Sequence, residues 1–268
     1  MKNHRKKHND TIGKTLTVVV ALCLVCSALV SGAAVGLKPR QQEQKLLDKQ
    51  RAILDVAGLL QPEITTQEIQ QRFIARVTPR LLELNSGDFS VRDPAQFDHA
   101  QALRDVTMSI ALDKEQDKAK IKRRTNLVPL WLVNDEQGAL ETIVLPVYGL
   151  GLWSMMYAFV ALDSDGKTVK GISYYSQGET PGLGGEVNNP AWRHRWVGKK
   201  LFDNQGKPAI RIVKGGAHPD DPFAVDGLAG ATLTSNCVQN TFDFWLGDSG
   251  FGPFLKKVQA GALQHGTQ

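Results

Sequence analysis

Hydrophobic and polar positions divide the chain into three parts with different periodicities. Residues 15–37 form an uncharged apolar run between Lys14 and Lys38. Residues 40–60 follow with apolar positions three or four apart, which predicts an amphipathic helix. From about Asn126 the apolar segments are short and rich in β-branched and aromatic residues, which is typical of strands. The pattern therefore predicts an apolar helix, a helical middle region and a strand-rich domain.

The apolar run 15–37 has the length of a membrane-spanning helix. At about 1.5 Å per residue it covers a hydrocarbon core of about 30 Å. The alternative is a cleaved secretory signal, because basic residues precede the run and small residues end it. The apolar stretch of a signal is usually only about 7–15 residues long, and no A-x-A site closes this one, so we favour an uncleaved anchor in membrane lipid. A large downstream domain is translocated with little regard to its charge, which predicts that the domain lies outside the cytoplasm.

The middle region combines predicted helices with irregular structure. Helical character continues after Pro62 through "TTQEIQQRFIARVTPRLLEL", with Thr65 or Thr66 as the expected N-cap. Residues 85–123 are polar and poorly periodic, which predicts loops with short helices. We expect this region to act as a stalk packed on the domain.

The C-terminal part predicts an α+β domain with a largely antiparallel sheet and flanking helices. Strands are expected in "LVPLWLV", "ETIVLPVY", "MMYAFVALD" and "TVKGISYY", with a hairpin turn at Asp165-Gly166 between the last two. "AIRIVKGG" predicts a further strand. Apolar positions after Thr232 recur every three or four residues, which predicts a helix that ends at "GDSGFG".

The distribution of charge along the chain argues against nucleic acid as a partner. The formal net charge is +5, but most of it lies in residues 1–14, so the rest of the chain is almost neutral. A basic tail of this kind is not the footprint of nucleic-acid binding on a folded face. The three cysteines cannot form a disulfide framework.

The stretch "DGLAGATLTSN", residues 226–236, is the first candidate for chemistry. It predicts a glycine-containing turn that leads into a helix N-terminus, a geometry that favours phosphate. The alternative is structural, because Thr232 or Thr234 in this position can simply cap the helix.

Two further glycine clusters and one cation extend this candidate site. "GETPGLGGE" (178–186) predicts an exposed, bent loop that can wrap a planar ligand, with Glu179 and Thr180 bonding to its edge. "YGLGLWSMM" (148–156) carries Trp153, and Lys214 can counter phosphate charge. Each signal alone has a structural explanation: tight turns for the glycines, core packing for Trp153 and a solvated face for Lys214.

Other chemistry finds little support. The histidines show no spacing typical of metal ligands, and no nucleophile elbow, P-loop or dinucleotide fingerprint occurs. We therefore predict no metal ligand and no catalytic residue.

The motifs "ETPGLGGE", "DGLAGATLTSN" and "TFDFWLGDSGFGPF", with "GLWSMMYAF", "NNPAWRHRWVGKKLF" and the single anchor, resemble the C subunit of the bacterial Na⁺-translocating NADH:quinone reductase. The resemblance covers most of the chain and is most specific from residue 145 to 258. The G-A-T-x-T element alone is shared with the G subunit of Rnf-type complexes and other FMN-binding domains.

The resemblance implies a covalent flavin. Thr232 would carry FMN through a phosphoester bond, made by a flavin transferase that uses FAD and releases AMP. Asp226 would assist the transfer by orienting Mg²⁺ or the hydroxyl, and Gly230 and Ala231 would leave the approach open. Ala229 departs from the Ser or Thr often found there, which removes one possible hydrogen bond to the phosphate.

The remaining flavin contacts are expected from the three glycine-containing segments. We expect Leu183 and Trp153 to contact the flavin ring. The other expected binding residues are Glu179, Thr180, Gly184, Lys214 and Ser235.

The resemblance also implies an assembly and an organisation of the chain. The protein would relay electrons from NADH towards quinone, coupled to Na⁺ export, within a complex of six subunits in the bacterial inner membrane. Alternatives are the FMN-carrying subunit of an Rnf-type complex and a membrane-anchored assembly protein without a redox role. The expected parts are a cytoplasmic tail (1–14), an anchor (15–37), a stalk (38–125) and an FMN-binding core (126–268) on the periplasmic side.

Overall fold

The computed structural model describes residues 12–61 and 63–263. Most of the predicted basic tail, residues 1–11, lies outside these ranges. The chain divides into two compact units, one up to Leu47 and one from Asp48 onward. The α-helices are α1 (Ile12–Val56), α2 (Thr66–Arg76), α3 (His99–Arg104), α4 (Pro190–His194), α5 (Thr232–Trp245) and α6 (Gly252–Gln259).

Strands and short 3-10 helices make up the rest of the regular structure. The strands are β1 (Val77–Glu83), β2 (Asp88–Phe89), β3 (Ser109–Ala111), β4 (Arg123–Thr125), β5 (Leu127–Asn134), β6 (Leu140–Leu150), β7 (Met155–Asp163), β8 (Val169–Ser176), β9 (Arg211–Val213) and β10 (Ala224–Asp226). The 3-10 helices are Pro94–Gln96 and Gly184–Asn188.

In the first unit, the apolar part of α1 is fully exposed. Among the described residues α1 is the one helix long and apolar enough to cross a membrane, and its most apolar window is 0% buried. An apolar surface of this size in contact with water is unfavourable, so the helix is compatible with a single-pass membrane anchor.

In the second unit, a six-stranded antiparallel sheet has the order β2-β1-β5-β6-β7-β8. One face packs against α5 and α6 through a core that includes Leu145, Val160, Phe242 and Leu255. The predicted hairpin at Asp165-Gly166 is present and joins β7 to β8. The expected α+β architecture with a largely antiparallel sheet is confirmed.

The end of α1 packs on the opposite face of this sheet. Trp131 alternates along β5 with Leu130 and Leu132, which point into the main core, so its ring lies on the other face. The Lys49 ammonium stands 4.8 Å from the centre of that ring. Ile53 and Leu54 are buried at the same end of the helix. The last turns of α1 therefore belong to the folded domain.

The prediction of a helix after Pro62 is confirmed for the first part of the segment and wrong for the second. Thr65 is the N-cap of α2 and forms a capping box: its hydroxyl accepts from the Glu68 N–H at 3.3 Å, and Glu68 Oε2 accepts from the Thr65 N–H at 2.8 Å. The helix then ends at Arg76. The expectation that it continues through "VTPRLLEL" is wrong, because Val77–Glu83 forms β1, paired along its whole length with β5.

Two smaller pairings complete the topology. The segment expected to form loops with short helices, residues 85–123, contains α3, and it also contributes β2 to the main sheet and β3, which pairs with β4. The strand expected in "AIRIVKGG" is present as β9, and it pairs in parallel with β10 outside the main sheet. Because β10 ends at Asp226, this pair fixes the start of the loop that leads to Thr232.

Candidate functional site

Three loops meet at the N-terminus of α5. They are the turn between β6 and β7, the loop after β8, and the loop between β10 and α5. The buried carboxylate of Glu179, from the second loop, accepts hydrogen bonds from the Trp153 N–H at 3.0 Å and from the Thr234 hydroxyl at 2.7 Å. One side chain thus ties the turn between β6 and β7 and the loop after β8 to the first turn of α5.

Two cavities open on either side of Thr232. The first, which we call the Trp153 cavity, has a volume of about 230 Å³ and is lined by Leu152, Trp153, Glu179, Thr180, Leu183, Gly184, Gly230, Ala231, Thr232, Leu233 and Thr234. The second, the Lys214 cavity, has a volume of about 440 Å³ and is lined by Arg195, Ile212, Val213, Lys214, Gly215, Gly216, Asp226, Gly227, Leu228, Ala229, Gly230, Thr232, Ser235 and Asn236. Every site residue expected from the sequence lines one of the two, and Thr232 and Gly230 line both.

Thr232 is exposed and is the first residue of α5. The N-cap is Ala231, with no side-chain cap, so the structural interpretation of Thr232 or Thr234 as the cap is wrong. Within the described residues, the Thr232 hydroxyl makes no hydrogen bond. The first backbone N–H groups of α5 have no partner within the helix, and they and the helix dipole favour an anion there.

Thr234 has a different environment although it lies two residues away. It is only 2% exposed, and its hydroxyl is used by Glu179. Of these two hydroxyls, only that of Thr232 is accessible to a reagent or a second protein.

Asp226 is held at both its backbone and its side chain. Its carbonyl accepts from the Trp192 indole N–H at 2.8 Å, and Oδ2 pairs with Arg195 Nη1 at 2.6 Å. The other carboxylate oxygen accepts from the Ala217 N–H. The loop that presents Thr232 therefore begins from a fixed residue whose carboxylate oxygens are both already engaged.

Ser235 stabilises the same loop from the helix side. Its hydroxyl accepts from the Leu228 N–H at 2.9 Å and donates to the Ala231 carbonyl at 3.1 Å. Gly230 has φ of +73°, and a Cβ there would lie 3.3 Å from a methyl group of Leu183. A residue larger than glycine would be strained at this position and would narrow the Trp153 cavity.

The Trp153 cavity carries exposed apolar side chains. Trp153 is 70% exposed, Leu233 60%, Leu152 47% and Leu183 45%. Water-exposed apolar groups gathered around one cavity mark a surface that gains free energy when an apolar ligand covers it. The Lys214 cavity instead carries the cationic side chains of Lys214 and Arg195, of which Arg195 is paired with the Asp226 carboxylate, so the charge of Lys214 is left over among the described residues. A ligand with a flat apolar part and a phosphate fits this combination, with the phosphate near Thr232.

No group of three metal-ligating side chains occurs within residues 12–61 and 63–263. Cys237, on α5, has a raised pKa, first because of its burial and second because of the nearby charge of Glu179. It is a poor thiolate, and we assign it no chemistry.

Comparison with known proteins identifies the family. A family model described as an FMN-binding domain matches residues 151–247, which contain every residue that lines the two cavities. The chain is 65% identical to the C subunit of the Na⁺-translocating NADH-quinone reductase of Yersinia pestis, over 99% of this chain and 100% of that protein. It is 55% identical to the same subunit of Vibrio vulnificus strain YJ016, over 95% of this chain and 98% of that one. The chain belongs to the family of C subunits of the Na⁺-translocating NADH-quinone reductase.

Solved structures agree with this assignment. The crystal structure of Shewanella oneidensis NqrC is similar with a TM-score of 0.75 at 39% identity, covering 81% of this chain and 99% of that one. The structure of the same reductase subunit from Parabacteroides distasonis gives a TM-score of 0.62 at 26% identity, covering 82% of this chain and 96% of that one. The domain therefore has the fold of these two proteins.

Sequence reasoning did not assign several side chains that line the cavities, among them Leu152, Leu233 and Arg195. Leu152 and Leu233 adjoin Trp153 and Thr232 in the chain, and an apolar residue directly beside each candidate was a usable signal. Arg195 gave none, because it lies within the basic run "RHR", and only the fold brings it to Asp226.

Proposed function

We propose that this protein is the FMN-carrying electron-transfer subunit of a Na⁺-translocating NADH-quinone reductase, with FMN joined through a phosphoester to Thr232. The observation that carries the proposal is the position of Thr232, whose exposed hydroxyl lies between an apolar cavity and a cationic one. The family model for an FMN-binding domain spans both cavities. When bound, FMN supplies one- and two-electron transfer.

The residues of the chain fit the parts of FMN. Trp153 and Leu183, with Leu152 and Leu233, offer an apolar surface for the flavin ring. Thr180 and Gly184 offer polar and backbone contacts at the edge of the same cavity. Lys214, Arg195 and the N-terminus of α5 oppose the charge of the phosphate.

Attachment joins the hydroxyl of Thr232 to FMN taken from FAD, in a reaction catalysed by a flavin transferase. Thr232 Oγ1 forms the bond to the phosphorus of the FMN half of FAD while the pyrophosphate bond breaks. AMP leaves, and the hydroxyl proton passes to a base of the flavin transferase. Because Thr232 is exposed and Ala231 and Gly230 are small, the folded domain presents this hydroxyl without unfolding.

The assembly and location follow from the family and the anchor. We infer a complex with the five other subunits of the reductase, with α1 in the bacterial inner membrane and the domain on the periplasmic side. There the chain would relay electrons from NADH towards quinone, coupled to Na⁺ export. Nearly full-length similarity to proteins of the sodium pump favours this complex over the Rnf-type alternative. The cavities and the family favour a flavin carrier over an assembly protein without a redox role.

The test is in-gel flavin fluorescence of the full chain produced in cells that contain a flavin transferase. We expect a fluorescent band that survives denaturation, its loss in Thr232→Val and its retention in Thr234→Val. A dark wild-type band would contradict the proposed function. Loss of the band only in Thr234→Val would contradict the residue assignment.

A further inference from the structure

Glu179 is a buried carboxylate beside the proposed flavin site. Its side chain belongs to a residue only 4% exposed, yet it lines the Trp153 cavity. Its backbone N–H donates to Gln177 Oε1 at 2.6 Å, which fixes the start of the loop. The carboxylate therefore has a defined position and is almost fully removed from water.

Two glycines leave the space that this carboxylate fills. A Cβ on Gly151 would lie 2.5 Å from Glu179 Oε1, and a Cβ on Gly184 would lie 2.8 Å from Oε2. The carboxylate is therefore enclosed by the backbones of two loops as well as held by hydrogen bonds from Trp153 and Thr234. Both donors are neutral groups.

In the part of the chain that the structure describes, no Lys, Arg or His forms an ion pair with Glu179. An ionised group with neutral donors in a poorly solvated place acts strongly on its surroundings, because few water dipoles screen it. A ligand in the Trp153 cavity would therefore be exposed to the electrostatic field of this carboxylate.

We propose that Glu179 is a positioning residue that sets the redox potential of the flavin, by holding the Trp153 turn against α5 and by placing a fixed negative charge at the cavity in which the ring would bind. This inference rests on the proposed function. Adding an electron to a ring close to a negative charge is unfavourable, so Glu179 lowers the midpoint potential of the bound FMN. The same carboxylate fixes the loop that carries Trp153, which keeps the distance between charge and ring constant.

The first test measures the midpoint potential of the full-length, FMN-loaded chain in detergent. Glu179→Gln keeps the shape and the oxygen that accepts from Thr234 or Trp153, and removes the charge; we expect its potential to shift to a more positive value. Glu186→Gln is the matched control, a change in the same loop at a residue outside both cavities, and its potential stays at the wild-type value. An unchanged potential in flavin-loaded Glu179→Gln would overturn the inference and leave the proposed function standing. A wild-type chain without flavin would overturn the proposed function itself.

A conservative variant separates charge from packing. Glu179→Asp keeps the charge but shortens the side chain, so its potential stays closer to the wild-type value than that of Glu179→Gln. An equal shift in the Asp and Gln variants would mean that packing alone matters, and would overturn the role of the charge.

Cys237 provides a second readout that needs no flavin. In a Thr232→Val background with Cys23→Ser and Cys26→Ser, Cys237 is the one remaining thiol. Burial and then the Glu179 charge raise its pKa, while Lys120 lowers it. Alkylation by iodoacetamide as a function of pH therefore reports the charge. We expect the midpoint to move to lower pH in Glu179→Gln and to stay in place in Glu186→Gln. No movement in Glu179→Gln would show that Cys237 senses no charge at position 179 and would overturn the inference.

Discussion

Arg195 and Asp226 form an ion pair, with Nη1 and Oδ2 2.6 Å apart, at the start of the loop that presents Thr232. Trp192, three residues before Arg195, binds the carbonyl of the same aspartate. The segment around α4 therefore binds both the carbonyl and the carboxylate of Asp226. The fixed position of Asp226 explains how a loop rich in glycine and alanine can still hold one hydroxyl at a defined place.

We predict that Arg195→Met slows the attachment of flavin to Thr232 without unfolding the domain. The change frees one oxygen of Asp226 and removes a cation from the Lys214 cavity. The pair is partly exposed, with 49% of the arginine side chain and 27% of the aspartate accessible, so stability should fall by only about 0–1 kcal/mol. The measurement is the time course of covalent flavin fluorescence with purified flavin transferase and FAD.

Arg211→Met is the control for this experiment. Arg211 also forms an ion pair with an aspartate, Asp221, but lines neither cavity. Its attachment rate should equal that of the wild type. Equal rates for Arg195→Met and wild type would show that the ion pair has no part in attachment.

The two threonines of the motif should differ in their effect on stability, as we also expect them to differ in flavin attachment. Thr234→Val leaves a buried oxygen of Glu179 without its donor, which costs about 1–3 kcal/mol. Thr232→Val changes an exposed residue and should alter the free energy of unfolding by no more than about 0.5 kcal/mol. Urea unfolding of the two unmodified proteins makes the comparison, and equal losses would argue against a buried role for Thr234.

The folded domain should require the end of α1 but not its apolar part. A chain that begins at Asp48 keeps Ile53, Leu54 and Val56, whose burial against the sheet contributes about 1.5–3 kcal/mol each. A chain that begins at Leu60 loses all three. We expect the first to be soluble with a cooperative thermal transition and the second to be strongly destabilised. Identical melting temperatures would contradict this packing.

Periodicity predicted most of the sheet, and β1 shows where it fails. Residues 77–83 continue the helical spacing of apolar positions, and Pro79 does not decide between the two structures because proline is disfavoured inside helices and sheets alike. Burial along β1 does not alternate, since Leu81 and Leu82 are both buried. Residues 77–83 form a strand because they pair with β5, and this contact between distant parts of the chain cannot be read from the local pattern. The proposed boundary between residues 125 and 126 stays a prediction, although β1 precedes it.

The sequence predicted many of the residues that line the candidate site, but it did not predict the long-range contacts that hold them in place. Glycine clusters, hydroxyls and the family resemblance led to residues that do meet around two cavities. The protein partners of those residues could not be predicted: Glu179, which is expected at the edge of the ligand, also bonds to Thr234 and the Trp153 turn. Ser235 was expected to bind the ligand and holds its own loop. Their predicted contacts with flavin remain predictions.

The central claim is an ester between Thr232 and riboflavin phosphate. Mass spectrometry of the tryptic peptide from Gly215 to Lys256, purified with the full chain from respiring cells, tests it most directly. We predict a mass increased by one FMN less one water, with fragment ions that place the added group on Thr232. An unmodified peptide, or the same added mass on Thr234 or Ser235, would contradict the account.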